Sequence, residues 1–246
     1  MHTLKDKVAI VTGGSRGIGA AIVKRLAQEG AHVAFTYSKS VAEAEKVKAS
    51  IGVPGINVSA YQADARNPDG MSYLAASIKQ EFGAIDILIN NAGVWHMGAI
   101  GAMTQEEFKS VYSVNIESVF ALTNAVVPSM QDGGRIVNIG SGLGVRAMYP
   151  GVSVYNSTKA AVAMLARSWA QDLAPRGILV NAIMPGSINT DMNPATGDYS
   201  DMQKQAVPLK RYGTPEEIAG AVAFLVGPDA TYVNGAVLNV DGGLNA

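Results

Sequence analysis

The chain has 246 residues, 48% of them apolar and 16% charged, with a formal net charge of −1. That balance supplies a sizeable core and gives no electrostatic footing for a nucleic acid or an anionic membrane. With no cysteine there are no disulfides or thiolate metal sites, and the three histidines, at 2, 32 and 96, lack metal-ligand spacing, so no metal is expected.

No apolar run reaches the length of a membrane span. MHTLKDK leads straight into VAIVTGG, which leaves no room for a signal peptide. The expectation is a soluble, cytoplasmic protein with no membrane or nucleic-acid partner.

The first apolar run, VAIVT (8–12), reads as a strand, and 17–29 as a helix opened by Gly17 and Gly19 and closed by Gly30. Between them lies Thr12-Gly13-Gly14-Ser15-Arg16-Gly17-Ile18-Gly19. A glycine-rich turn between strand and helix lets a pyrophosphate reach the helix N-terminus without Cβ atoms in the way. The spacing is G-x-x-x-G-x-G, not G-x-G-x-x-G, so a turn that binds nothing is the plain alternative.

HVAFTY (32–37) is the second predicted strand, followed by a helix over 40–51. An acidic residue at the end of this strand would bond a ribose 2′-hydroxyl and repel a 2′-phosphate. Here Tyr37, Ser38 and Lys39 follow Thr36, and Arg16 is near in the glycine loop. Two cations and no carboxylate favour NADP(H) over NAD(H). The other reading of Lys39 is a solvated helix-start residue.

INVSAYQ (56–62) and IDILIN (85–90) are predicted strands flanking a helix at 69–81. The second runs into Asn90-Asn91-Ala92-Gly93, whose amides either fix a cofactor or brace neighbouring strands, or else form an ordinary turn. A long helix is predicted over 105–130, and Asn115 inside it is a poor helix former that needs a break or a buried partner. RIVNIG (135–140) ends at Ser141, with Gly142 and Gly144 beyond.

The helix predicted over 153–174 carries Tyr155 and Lys159 four residues apart, on one face. Its AAVAMLA stretch (160–166) is apolar all round, which points to helix-on-helix contact with another subunit. ILVNAIM (178–184), a helix at 215–226 and AVLNV (236–240) complete the pattern. The polar stretch 186–214 is the longest irregular segment and a lid candidate. Strand–helix alternation without a linker or repeat predicts one α/β domain, a doubly wound, parallel, seven-stranded sheet with helices on both faces.

TGGSRGIG (12–19), NNAG (90–93), Asn115, Ser141, YNSTK (155–159), the PG at 185–186 and VDGG (240–243) together resemble the short-chain dehydrogenase/reductase family from end to end. The resemblance implies a single Rossmann domain over 1–246 and a catalytic tetrad. Tyr155 is implied as general acid or base, and Lys159 as the cation that lowers its pKa and bonds the nicotinamide ribose. Ser141 is implied to hold the substrate oxygen, and Asn115 to support a water linking Lys159 to solvent. A free phenol near pKa 10 needs such a cation to work as a base at neutral pH.

By the same likeness Gly13, Ser15, Arg16, Gly17, Ile18, Gly19, Tyr37, Ser38, Lys39, Asp64, Ala65, Asn91, Ala92, Gly93, Pro185, Gly186, Ile188 and Thr190 line the cofactor with Tyr155 and Lys159. Asp64 is implied at the adenine, and Thr190 at the carboxamide or a phosphate. The resemblance also implies a homotetramer, a dimer of dimers, pairing the helices at 105–130 and 153–174. The four-residue Tyr–Lys spacing argues against enoyl reductases of this fold, which usually widen it.

The stretch PLKRYGTPEEIAGAVAFLVGPDATYVNGAVLNVDGG looks most like 3-oxoacyl-[acyl-carrier-protein] reductases. Two departures stand out. VVPSMQDGG (126–134) lacks the basic residues those members present to an acidic carrier protein, with Arg176 left as a possible contact. After NNAG the chain reads VWHMGAI. Trp95, His96, Leu143, Met148 and Tyr149 are expected to shape an apolar substrate pocket, although His96 also reads as an ordinary loop residue.

The function expected is that of an NADPH-dependent oxidoreductase acting on ketone/secondary-alcohol pairs. The alternatives are a 3-oxoacyl-[acyl-carrier-protein] reductase and, remotely, a non-catalytic dinucleotide-binding sensor.

Overall fold

Strands that are apolar at nearly every position need cover on both faces, and that requirement sets the architecture. A computed structural model describes residues 3–197 and 199–246. In chain order the strands are β1 Val8–Val11, β2 His32–Tyr37, β3 Val58–Gln62, β4 Ile85–Asn90, β5 Met130–Ile139, β6 Leu179–Pro185 and β7 Val237–Val240. They form one sheet in the order 3-2-1-4-5-6-7, parallel throughout.

The helices are α1 Gly17–Gln28, α2 Val41–Ala49, α3 Pro68–Phe82, α4 Gln105–Tyr112, α5 Ser118–Val126, α6 Ser153–Leu173, α7 Ser200–Ala206 and α8 Pro215–Val226. Alternating strand residues feed two cores. Ala9, Val11, Ile87, Ile89, Val137 and Ile139 pack with α1 and α8 on one face. Ile10, Leu88, Ile136 and Val180 pack with α3, α5 and α6 on the other.

Helix starts follow their caps. Thr104 with Glu107 opens α4, and Thr214 with Glu217 opens α8, each as a reciprocal capping box. The sequence-based reading of one helix over 105–130 fails at two points. Residues 113–117 widen into a π-turn, and Pro128, which has no N–H to continue the ladder, ends the helical path before β5 begins at Met130. The irregular stretch 186–214 holds a short helix, α7, that its polar composition did not suggest.

Strand order reverses at β1, between β2 and β4, which opens a crevice beyond the carboxyl ends of the strands. The glycine loop after β1, the NNAG turn after β4 and Ser141 after β5 all meet there.

Candidate active site

The crevice is a cavity of 1570 Å³ lined from the glycine loop to the 186–214 segment. At its floor the turn after β1 is held by its neighbours. Thr12 Oγ1 accepts the N–H groups of Asn91 and Ala92, and Asn91 Nδ2 donates to the carbonyls of Thr12 and Gly13. The two amides of NNAG therefore divide the work left open by sequence. Asn91 ties β4 to the loop, whereas Asn90 turns into the core, donating to Thr123 Oγ1 and Asn138 Oδ1.

Two glycines of the loop are dictated by geometry. Gly17 has φ +52°, and a Cβ on Gly19 would lie 2.1 Å from the Gly13 carbonyl oxygen. Arg16 precedes α1 without capping it by a side-chain bond, and no acidic residue sits in the first turn. The first amides of a twelve-residue helix thus face the cavity with their dipole unanswered, a fit for a pyrophosphate.

Beyond the end of β2, Tyr37, Ser38 and Lys39 line the same wall as Arg16. Arg16 and Lys39 have no hydrogen bond or salt bridge among the described residues, and the Lys39 charge acts on the Asp64 carboxylate across this end of the cavity. Asp64 lies opposite. Its carboxylate takes the Arg66 guanidinium at 2.7 and 3.0 Å, which holds it below the usual carboxylate range. Arg66, on the cavity wall as well, was missed by sequence reasoning, because only the fold shows which charges share a wall.

Ser141, Tyr155 and Lys159 meet at the other end. Ser141 caps the turn after β5, accepting from the Leu143 N–H at 3.2 Å, and shares a hydrogen bond with the Tyr155 hydroxyl. Burial pushes the Tyr155 phenol up from its ordinary value, and the Ser141 bond only partly offsets this.

Lys159 is 5% exposed, donates to the Ile139 carbonyl at 3.1 Å and lies 5.7 Å from the centre of the Tyr155 ring. Burial pulls its ammonium down to about 8.

Asn115 sits behind the wall, not on it. Its Oδ1 accepts the Val94 N–H at 2.8 Å, and its Nδ2 donates to the Val94 carbonyl and to Thr158 Oγ1 at 3.1 Å each. The π-turn puts this amide between α6 and the loop after β4. Both Nδ2 hydrogens are committed, which leaves a lone pair of Oδ1 for a water. A Cβ on Gly93 would lie 3.2 Å from Lys159 Nζ and 3.5 Å from Asn115 Oδ1, so both polar atoms border the same glycine.

Every other predicted residue lines the cavity, including Gly13, Ser15, Ile18, Ala65, Pro185, Gly186, Ile188 and Thr190, and the pocket residues Trp95, His96, Leu143, Met148 and Tyr149. The Trp95 ring stands edge-on to Tyr155, centroids 4.6 Å apart. His96 Nε2 lies 3.3 Å from the Glu107 carboxylate, and His32 accepts the Asn57 N–H, while His2 lies outside the described residues. Sequence reasoning missed Met192, Met202 and Gln203, which reach the cavity from the 186–214 segment. Gln203 and Asn193 exchange reciprocal amide bonds, and Ser187 Oγ donates to Gln203.

Arg176 is consumed internally. Its guanidinium bonds Asp132 at 2.8 Å and the carbonyls of Val127 and Met130, clamping the start of β5.

A family model described as enoyl-(acyl carrier protein) reductase matches residues 13–245. A curated Escherichia coli relative named cyclic-di-GMP-binding biofilm dispersal mediator protein is 37% identical, covering all of both chains. A 3-oxoacyl-[acyl-carrier-protein] reductase of Staphylococcus epidermidis is 38% identical over 97% of this chain and 99% of its own. The crystal structure of a Burkholderia cenocepacia short chain dehydrogenase in complex with NADP superposes with a TM-score of 0.97, at 43% identity and 99% and 100% coverage. With this fold, this cavity and these relatives, the chain belongs to the short-chain dehydrogenase/reductase family and is an oxidoreductase acting on hydroxyl/carbonyl pairs.

Proposed function

We propose that the chain is an NADPH-dependent carbonyl reductase, interconverting a ketone and its secondary alcohol. The observation that carries this reading is the meeting of Ser141, Tyr155 and Lys159 at one end of a cavity whose other end is a helix N-terminus with free cations. When bound, the reduced nicotinamide supplies the hydride.

The rest belongs to the chain. Ser141 holds the carbonyl oxygen by its hydroxyl, and Tyr155 gives that oxygen its proton as the carbon is reduced. A phenol raised by burial is protonated at neutral pH, which suits the reductive direction. The Lys159 ammonium stabilises the phenolate left behind and holds the cofactor ribose. Asn115 positions the loop carrying Trp95. Arg16 and Lys39, neither with an ion-pair partner among the described residues, support a 2′-phosphate, hence NADP(H) over NAD(H).

The 3-oxoacyl-[acyl-carrier-protein] reductase reading has the named relative in its favour. It is weakened by Arg176, whose guanidinium is committed to Asp132 and to the Val127 and Met130 carbonyls. The family model's description raises an enoyl reduction, against which the four-residue Tyr155–Lys159 spacing stands. A binding-only role, suggested by the dispersal mediator, leaves the intact Ser141, Tyr155 and Lys159 without a use.

The reading includes a cytoplasmic homotetramer. Phe120 on α5 and Met164 on α6, 54% and 55% exposed, support pairing of these helices between subunits. The function is tested by following nicotinamide absorbance with NADPH and a panel of ketones. Turnover is expected with NADPH above NADH, and Tyr155→Phe should reduce it at least about a hundredfold. No absorbance loss with any ketone would refute it.

A further inference from the structure

We infer that the substrate end of the cavity takes an uncharged ketone with a flat aromatic arm, and that Trp95 is the residue that selects it. The inference rests on the carbonyl-reductase reading.

Trp95 lies in a loop, yet it is held from behind. Asn115 bonds both the N–H and the carbonyl of Val94, the adjoining residue, at 2.8 and 3.1 Å. Three residues on, the Gly98 N–H donates to the Gly151 carbonyl at 2.8 Å, which fastens this loop to the one before α6. Fixed at both ends, the indole stands edge-on to the Tyr155 ring and is still 39% exposed to the cavity. A carbonyl presented to the Tyr155 hydroxyl brings its substituents beside a rigid aromatic surface, where offset or edge contact with a second ring is favoured.

The other walls are adaptable where Trp95 is stiff. Met97, Met148, Met192 and Met202 line the cavity, and thioether side chains fill gaps around differently shaped apolar groups.

Charge sets the second half of the inference. Around Trp95 and Tyr155 the charged side chains on the cavity wall are Lys159, His96 and Glu107. His96 faces Glu107 at 3.3 Å, and the other oxygen of Glu107 is taken by the Thr104 cap. An oxo acid or an anionic carrier arm entering here meets the Glu107 carboxylate and no free surface cation, since Arg16 and Lys39 lie at the glycine-loop end. A neutral ketone meets no such opposition.

The test compares acetophenone, 2-butanone and acetoacetate with NADPH, using the wild type, Trp95→Ala and Trp95→Phe. Wild type should prefer acetophenone. Trp95→Ala should lower kcat/KM for acetophenone about tenfold more than for 2-butanone, and Trp95→Phe should restore most of that difference. Saturable quenching of tryptophan fluorescence by acetophenone should vanish in Trp95→Phe.

Equal losses on both ketones, or a preference for acetoacetate, would overturn the inference. If no ketone turns over while the Trp95 quenching persists, the reductase reading fails and the aromatic shelf stands.

Discussion

Lys159 shows what the site demands of a single side chain. Its ammonium is buried with one carbonyl partner and no carboxylate, and its pKa falls from 10.5 to about 8. Below about 8 both folded and unfolded chains carry this proton, and the folded one bears the full desolvation penalty. Between about 8 and 10.5 the unfolded chain binds more protons, so this contribution to stability rises with pH and is fully relieved above both values. The shift corresponds to about 3 kcal/mol of penalty at neutral pH.

Lys159→Met keeps the stem and removes the charge. It is expected to abolish reduction yet stabilise the fold by about 1–3 kcal/mol, raising Tm by roughly 3–10 °C in calorimetry at pH 7. A lowered Tm would show that the ammonium holds the structure together, instead of being tolerated for chemistry. Tyr155 points the same way: because burial raises its phenol, the reverse oxidation, which needs phenolate, should speed up as pH rises.

At the scale of elements, α4, the π-turn and α5 explain why Asn115 looked misplaced. An asparagine in the middle of a predicted helix called for a break or a buried partner, and the helix widens there into the π-turn at 113–117 with the amide bonded inside. What it achieves was hidden, because Val94 and Thr158 reach the amide only after β4, α4 and α6 have packed. Arg176 carried the opposite lesson. It read as a possible contact for an acidic carrier protein, but its guanidinium is committed to Asp132 and the Val127 and Met130 carbonyls at the β5 entry.

The outer faces of α5 and α6 give the element-scale prediction. The wild type should run as a tetramer in light scattering, and Phe120→Glu with Met164→Glu should reduce the mass while circular dichroism keeps its helical signal. A monomeric wild type would remove the assembly reading.

Over the whole molecule, hydrophobic runs and turn residues made the sheet legible. Seven strands were placed within a few residues, apart from the start of β5, because buried parallel strands leave near-continuous apolar runs. The ends of those strands carried the glycine loop, NNAG and Ser141, so the location of the cavity was legible too.

Side-chain partnerships set by sheet order were not. The buried chain from Thr123 through Asn90 and Asn138 to the Val162 carbonyl crosses from α5 to α6, joining residues up to 48 positions apart in sequence. Neither periodicity nor motif spacing encodes such contacts. α7 escaped because SDMQKQA is short and, with Met202 and Ala206 its only apolar residues, has no apolar stripe to betray a helix.

Hydride transfer to a carbonyl carbon is tested most directly with NADPH deuterated on the transferring face of C4, incubated with acetophenone and analysed by mass spectrometry. One deuterium is expected on the carbinol carbon of the product, with none formed by Tyr155→Phe in the same time. An unlabelled alcohol, or ketone recovered unchanged while the cofactor stays bound, would contradict the assignment.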